Sequence, residues 1–277
     1  MVDNFKHLKI EDNGEYIICY LSNPPTHTFT AKGVSEVHDL LDILEKRTDL
    51  RVLAFTGEGE DVFIKHYEVG ELADSAERNL ESAEAQEDPT ELHAFHRMLL
   101  RLRDLEAIVI AGINGNTAGG GCEFSLGCDL RIMADGDYSI GLPETSVGIL
   151  PGGGGTQRLS RLIGSSRALD LILHAKLLSP REAYDLGIIN KLVEKDSFVE
   201  ELKLYCKDLS NRAPIALRQV KKIIHQGLDM TLEESLLLEQ KAFGVTMNSK
   251  DAANAMRSLL NSEENIQNVS KFEWKGE

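Results

Sequence analysis

The chemical signal of this 277-residue chain is concentrated in two carboxylates and two runs of glycine. The first run lies in the stretch from Ala111 to Glu123, where Asn114-Gly115 leads into Gly119-Gly120-Gly121-Cys122-Glu123. It reads as a strand passing through glycines into a helix. Three glycines at a helix start expose unpaired N–H groups, and the helix dipole adds partial positive charge. Such a turn can hold an oxygen that becomes negative during a reaction, at about 3 kcal/mol per preorganised donor. The bland alternative is that the glycines only permit close strand-to-helix packing. Glu123, in the first helical turn, is expected to face the same cavity. Glu144 follows Pro143 in a loop after a short strand, from which a carboxylate can point into a cleft. Two carboxylates converging beside an oxyanion site form a general acid and base pair.

Other chemistries find little support. The second glycine run, Gly152 to Gly155, also enters a helix, but it lacks the Gly-Lys-Ser/Thr ending of a nucleotide P-loop. No dinucleotide fingerprint follows the first strand. Ser125 has Glu123 rather than glycine two places before it, so the nucleophile elbow of serine hydrolases is absent. His93 and His96 stand three apart on an expected helix without further ligands at metal-binding spacing, and read as surface or interface residues. Cys19, Cys122, Cys128 and Cys206 form no paired motif and read as buried free thiols. A net charge of -15 argues against nucleic acid as a partner. The longest apolar stretches, such as Ala107 to Ile113, fall far short of the roughly 20 residues that cross a bilayer. No export or organelle signal is visible at the start, so a cytoplasmic location is the default expectation.

The elements that must position these residues alternate. A hairpin is expected from Phe5 to Leu21 with its turn at Asp12-Asn13-Gly14, since Asn-Gly supplies the positive φ such turns require. Helical spacing of Val34, Val37, Leu40, Leu41 and Leu44 follows, then a strand at 51–56. The order continues with a helix at 90–105, a strand at 107–113, a helix from Gly120 and a strand at 130–134. This is α/β. Between them, residues 71–88 carry Glu71, Asp74, Glu77, Glu81, Glu84, Glu87 and Asp88 against Arg78, and read as a mobile surface loop or frayed helix. Past Asp196 the strands stop. Pro214 opens a helix ending at Gly227 in C-cap position, and helices at 231–247 and 249–260 follow. The division expected is an α/β core over 1–195 and a helical region over 196–277, with the two packed together.

In this order the motifs resemble those of the crotonase superfamily, the enoyl-CoA hydratase/isomerase family, over nearly the whole chain. The resemblance rests on Asn114-Gly115 with Gly119-Gly120-Gly121-Cys122-Glu123, then Pro143-Glu144, then Leu150-Pro151-Gly152 with Gly154-Gly155-Thr156-Gln157-Arg158-Leu159. It implies a spiral of ββα repeats, a helical C-terminal region that makes a homotrimer or a dimer of trimers, an acyl-CoA thioester as substrate and no separate cofactor or metal. Residue by residue, it implies Gly120 as one oxyanion-hole donor through its N–H, flanked by Gly119 and Gly121, with Glu123 and Glu144 as the paired acids of a hydratase. The other oxyanion segment of the family corresponds to Phe63-Ile64-Lys65-His66-Tyr67-Glu68. This puts Tyr67 at the first donor position, with Gly120 as the second, and Lys65, His66 and Glu68 beside the substrate.

Three segments depart from the family pattern. Tyr67 and His66 replace a small residue and a glycine, which predicts a reshaped acyl pocket. Thr26-His27-Thr28 stands in an N-terminal stretch that usually reads Asn-Ala-Leu, and Glu263-Glu264 where relatives carry basic residues against CoA phosphates. The leading expectation is hydration of a 2-enoyl-CoA. The alternatives are a crotonase-type isomerase or carbon-carbon bond hydrolase using His66 and Tyr67, and a non-catalytic family member.

Overall fold

The chain winds so that each pass supplies one strand to a large sheet and then one to a small sheet. The computed structural model describes residues 5–81, 90–261 and 272–277. The hairpin comes first: β1 (Leu8–Asp12) pairs antiparallel with β2 (Tyr16–Leu21), and Gly14 takes φ +80° in the turn, where its N–H donates to the Asp12 carboxylate at 2.9 Å. Next comes α1 (Ala31–Leu44), capped by the Thr30 hydroxyl, which accepts from the Gly33 N–H; Val34, Val37, Leu40, Leu41 and Leu44 all turn inward. That is the stripe expected from their spacing.

The strand β3 (Val52–Gly57) then joins the large sheet and β4 (Asp61–Val62) the small one. The pattern repeats with β5 (Ile108–Ile113) and β6 (Gly115–Ala118), and again with β7 (Leu130–Asp135) and β8 (Ile140–Gly141). The large sheet has the order β1-β2-β3-β5-β7-β10, with β10 (Lys191–Glu194) at its edge; the small one has β4-β6-β8-β9, with β9 (Leu177–Leu178) at its edge. Because β3, β5 and β7 are parallel neighbours and so are β4, β6 and β8, the chain forms a ladder of ββα turns, the crotonase-type spiral. Every residue of β3 and β5 is buried, as befits parallel strands covered on both faces.

The helices between these strands are α2 (Val69–Glu81), α3 (Ala94–Asp104) and α4 (Gly120–Leu126), followed by α5 (Gly155–Ile163), α6 (Ser165–Leu173) and α7 (Pro180–Asp185). Phe124 of α4 sits at the centre, its ring 5.5 Å from Phe29, 5.1 Å from Phe55 and 6.3 Å from Phe63. Of the acidic segment, residues 69–81 form α2, a regular helix that buries nothing, so a solvated helical face rather than a loop accounts for its charge. Residues 82–89 lie outside the described residues.

The C-terminal helices are α8 (Phe198–Ser210), α9 (Pro214–Gly227), α10 (Leu232–Met247) and α11 (Lys250–Asn261). Leu202 and Cys206 of α8 are fully buried. A Cβ at Gly112 of β5 would lie 2.5 Å from the Leu202 side chain, so the missing side chain lets α8 lie against the sheet. Lys221 anchors α9: its ammonium donates to the Leu102 and Ala107 carbonyls and pairs with Asp129 at 2.8 Å, which also takes His225 at 2.7 Å. Gly227 is the last residue of α9 rather than its cap, which is Leu228; a Cβ there would meet Ser235 at 3.2 Å, so the glycine serves the crossing of α9 and α10. Among the residues of α10 only Ala242 is buried, and Leu232, Leu237 and Phe243 face outward.

Candidate active site

Each of the three consecutive glycines is required, one for its backbone conformation and two for close packing. Gly119 has φ +50° and ψ -124°, a conformation closed to residues with a Cβ, and its N–H donates to the Gly141 carbonyl at 2.9 Å. At Gly120 a Cβ would stand 2.8 Å from the Tyr67 Cβ and 3.2 Å from the Tyr67 nitrogen. At Gly121 a Cβ would run into the Ile64 carbonyl and the Thr117 hydroxyl, so close packing is the reason there. Close packing thus accounts for Gly120 and Gly121, and backbone conformation for Gly119. The bared N–H of a first helical residue belongs to Gly120.

The direction of the Tyr67 N–H follows from its neighbours. The His66 carbonyl accepts from the Phe29 N–H at 2.9 Å, and the Glu68 N–H donates to the Phe29 carbonyl at 2.8 Å. In a trans peptide C=O and N–H point opposite ways. The Tyr67 N–H therefore turns away from Phe29 and toward the other flank, where the Ala118 N–H donates to Lys65 at 3.0 Å before Gly119 bends the chain away. That bend leaves the Tyr67 N–H beside Gly120 with no strand opposite it. Asn114 locks the segment in place by bonding Gly57 and Gly59, and Thr117 by donating to Ile64 at 2.7 Å.

The side chains of this segment have other partners. The Tyr67 ring meets Phe95 edge-on at 6.1 Å, and its phenol, which bonds Glu71, is pushed far up in pKa by burial and so stays neutral. The His66 ring donates to the Tyr67 carbonyl at 2.7 Å. Glu68 accepts from the Thr28 hydroxyl at 2.7 Å, which holds it below the usual carboxylate range, and Lys65 is exposed. Nearby, a small open pocket is lined by residues that include His7, Asn23, His27, Thr28 and Phe63.

Glu123 and Glu144 come from different elements and meet different surroundings. Glu123 is 4% exposed, and its Oε1 accepts from the N–H groups of Gly153 at 2.7 Å and Gly155 at 2.8 Å. A Cβ at Gly153 would lie 2.5 Å from the other carboxylate oxygen. The second glycine run is therefore a cradle for Glu123 at the start of α5, a link between residues thirty positions apart that the sequence did not disclose. Burial raises the pKa of Glu123, while the two N–H groups and Arg158 oppose that rise.

Glu144 opens a 3-10 turn over Glu144–Val147. Its Oε1 lies 3.1 Å from where a Gly119 Cβ would be, and its Oε2 is shielded from water without a hydrogen-bond partner. Burial pushes its pKa up to about 7, its own N–H works against this, and the charge of Glu123 adds to it. Glu123 is thus supported as a carboxylate, and Glu144 is favoured as the acid. Tyr67, Gly120, Glu123 and Glu144 converge; Glu263 and Glu264 lie outside the described residues. Among the described residues no group of three or more His, Cys, Asp or Glu could hold a metal, and no helix is long and apolar enough to cross a membrane.

A spiral of ββα turns with a bared helix start at its centre defines a crotonase-fold protein. The chain belongs to the enoyl-CoA hydratase/isomerase family, whose model matches residues 13–268. It is 29% identical over 252 residues to a short-chain-enoyl-CoA hydratase of Clostridium acetobutylicum, covering 91% of this chain and 93% of that protein. It is 28% identical to a crotonyl-CoA hydratase of Syntrophomonas wolfei, covering 92% and 95%. The crystal structure of an enoyl-CoA hydratase from Bacillus anthracis superimposes with a TM-score of 0.84 at 27% identity, over 98% of this chain and all of that one.

Proposed function

We propose that this protein hydrates 2-enoyl-CoA thioesters. The observation that carries the reading is the pair of unlike carboxyls beside Gly120: one held by two N–H groups, the other with a bare, shielded oxygen. In this reading the thioester carbonyl accepts from the Tyr67 and Gly120 N–H groups. Glu123, kept ionised by the Gly153 and Gly155 donors, takes a proton from water as its oxygen attacks the β carbon. Glu144 delivers its proton to the α carbon, and the proton on Glu123 passes through solvent to restore Glu144. The products balance as one water added across the double bond, and both groups on one side of the substrate give syn addition. The reaction needs no group beyond substrate and water. The printed names of the Clostridium and Syntrophomonas relatives support the same substrate class.

His66 and Tyr67 favour neither isomerisation nor carbon-carbon cleavage, because the imidazole is committed to a main-chain carbonyl and the phenol stays neutral. The outward apolar residues Val220, Ile224, Leu228, Leu232, Leu237 and Phe243 on α9 and α10 and the turn between them support a homotrimer or dimer of trimers. The test is hydration of crotonyl-CoA and longer enoyl-CoAs, followed by loss of the conjugated thioester absorbance. Turnover that Glu123→Gln and Glu144→Gln each reduce by about 10²-fold or more is expected. Wild-type protein without turnover, or turnover untouched by either change, refutes the reading.

A further inference from the structure

His93 and His96, which from the sequence read as surface or interface residues, meet the catalytic cradle. They begin α3, and their rings stack with centroids 3.8 Å apart and planes 25° from parallel. The His93 Nε2 lies 3.3 Å from the Gly152 carbonyl oxygen. A carbonyl only accepts, so this nitrogen carries the proton and donates. The Gly152 carbonyl and the Gly153 N–H belong to one planar peptide, and that N–H donates to Glu123 at 2.7 Å. A hydrogen bond to one end of a peptide polarises the other end and strengthens it as a donor. The chain of contacts therefore runs from imidazole through a single peptide to the carboxylate.

We infer that His93, braced by the stacked His96, is a positioning residue for Glu123 that acts through the Gly152–Gly153 peptide. The inference rests on the reading of Glu123 as the base. The neighbours on each side fit it. Burial and the adjacent His93 hold His96 below the ordinary imidazole range, so it stays neutral at neutral pH, and it too contacts the Gly152 carbonyl. Phe95, between the two histidines in sequence, would touch a Cβ at Gly153 at 2.7 Å, which fixes the loop from the same helix. The charged and titratable groups facing Glu123 are Arg158 of α5, Glu144 of the 3-10 turn and the buried thiol of Cys122; Arg158 also faces the imidazole pair, and Arg97 turns instead to the Leu92 carbonyl. None of these donates to Gly152, whose carbonyl His93 shares with His96, so removing His93 takes away one of two imidazole donors. The geometry also explains the occurrence of two adjacent imidazoles with no metal-ligand pattern around them.

The test titrates the Glu123 carboxyl by NMR in full-length protein labelled with carboxyl-¹³C glutamate, the signal being assigned by its loss in Glu123→Gln. In His93→Ala the titration midpoint rises by at least about half a pH unit, roughly threefold in proton affinity. In His93→Gln, whose amide nitrogen can take the Nε2 place, it returns toward the wild-type value. His93 is exposed, so both variants are expected to fold. A midpoint unchanged in the alanine variant, or raised equally in both variants, overturns the inference. Crotonyl-CoA turnover measured on the same samples separates the two ideas: wild-type protein without turnover counts against the hydratase reading alone, because the carboxyl titration does not depend on the reaction.

Discussion

Replacing Glu144 with glutamine should make the protein more stable at high pH while destroying its activity. The folded Glu144 keeps its proton up to about pH 7, whereas the reference carboxyl releases it near 4.5. A raised pKa contributes nothing against the fold below 4.5, and its neutral-form advantage is lost as pH rises through about 7, where the folded state must carry a poorly solvated charge. At about 1.4 kcal/mol per tenfold change in proton affinity, the interval bounds the penalty at about 3.4 kcal/mol. The side chain is partly open to water, so screening reduces this to roughly 1–2 kcal/mol. Glutamine keeps the neutral shape at every pH, and the shielded Oε2 gives up no partner because it has none. Thermal unfolding of both proteins at about pH 4, below the unfolded value of 4.5, and at pH 8.5 should therefore show nearly equal midpoints at the lower pH. At the higher pH the variant should melt roughly 2–6 °C above the wild type. The same variant should lose crotonyl-CoA hydration at both. A stability difference that does not depend on pH, or one favouring the wild type at pH 8.5, would falsify the assignment of Glu144 as the desolvated acid.

Gly120→Ala places a Cβ 2.8 Å from that of Tyr67 and forces the two N–H donors apart, so turnover should fall by about 10²–10³-fold with the fold intact by circular dichroism; full activity would mean the donors do not act together. Tyr67→Phe retains the main-chain donor and should leave crotonyl-CoA turnover nearly unchanged, whereas Tyr67→Ala should shift KM in favour of longer acyl chains. Equal chain-length profiles would show that the ring does not border the acyl group. Lys221→Met leaves the half-buried Asp129 with one cation fewer and two carbonyls without their donor, which should cost about 3–5 kcal/mol in urea unfolding, partly recovered when Asp129→Asn is added. A loss under 1 kcal/mol would show that the α9 anchor is not this ion pair.

The sequence by itself determined the features that short-range chemistry controls. Asn13-Gly14 set the hairpin turn, and Val34 to Leu44 set the buried face of α1. Glu123 and Glu144 were legible as acids because their side chains are the reactive groups, and their order along the chain carried the family. The repeat of strand, strand and helix was not legible as a sequence period, because each turn needs only burial in the right place and not the same residues. Tertiary structure alone decided what each acid became. Glu123 and Glu144 are the same residue type; Gly153 and Gly155 hold one through two N–H groups, and burial pushes the pKa of the other up to about 7. The contacts that matter most, Tyr67 beside Gly120 and the His93 imidazole on the Gly152 carbonyl, reach main-chain groups across 53 and 59 positions. Backbone N–H and C=O groups are nearly identical in every residue, so their partners leave no mark in the order of side chains and appear only once the chain has folded.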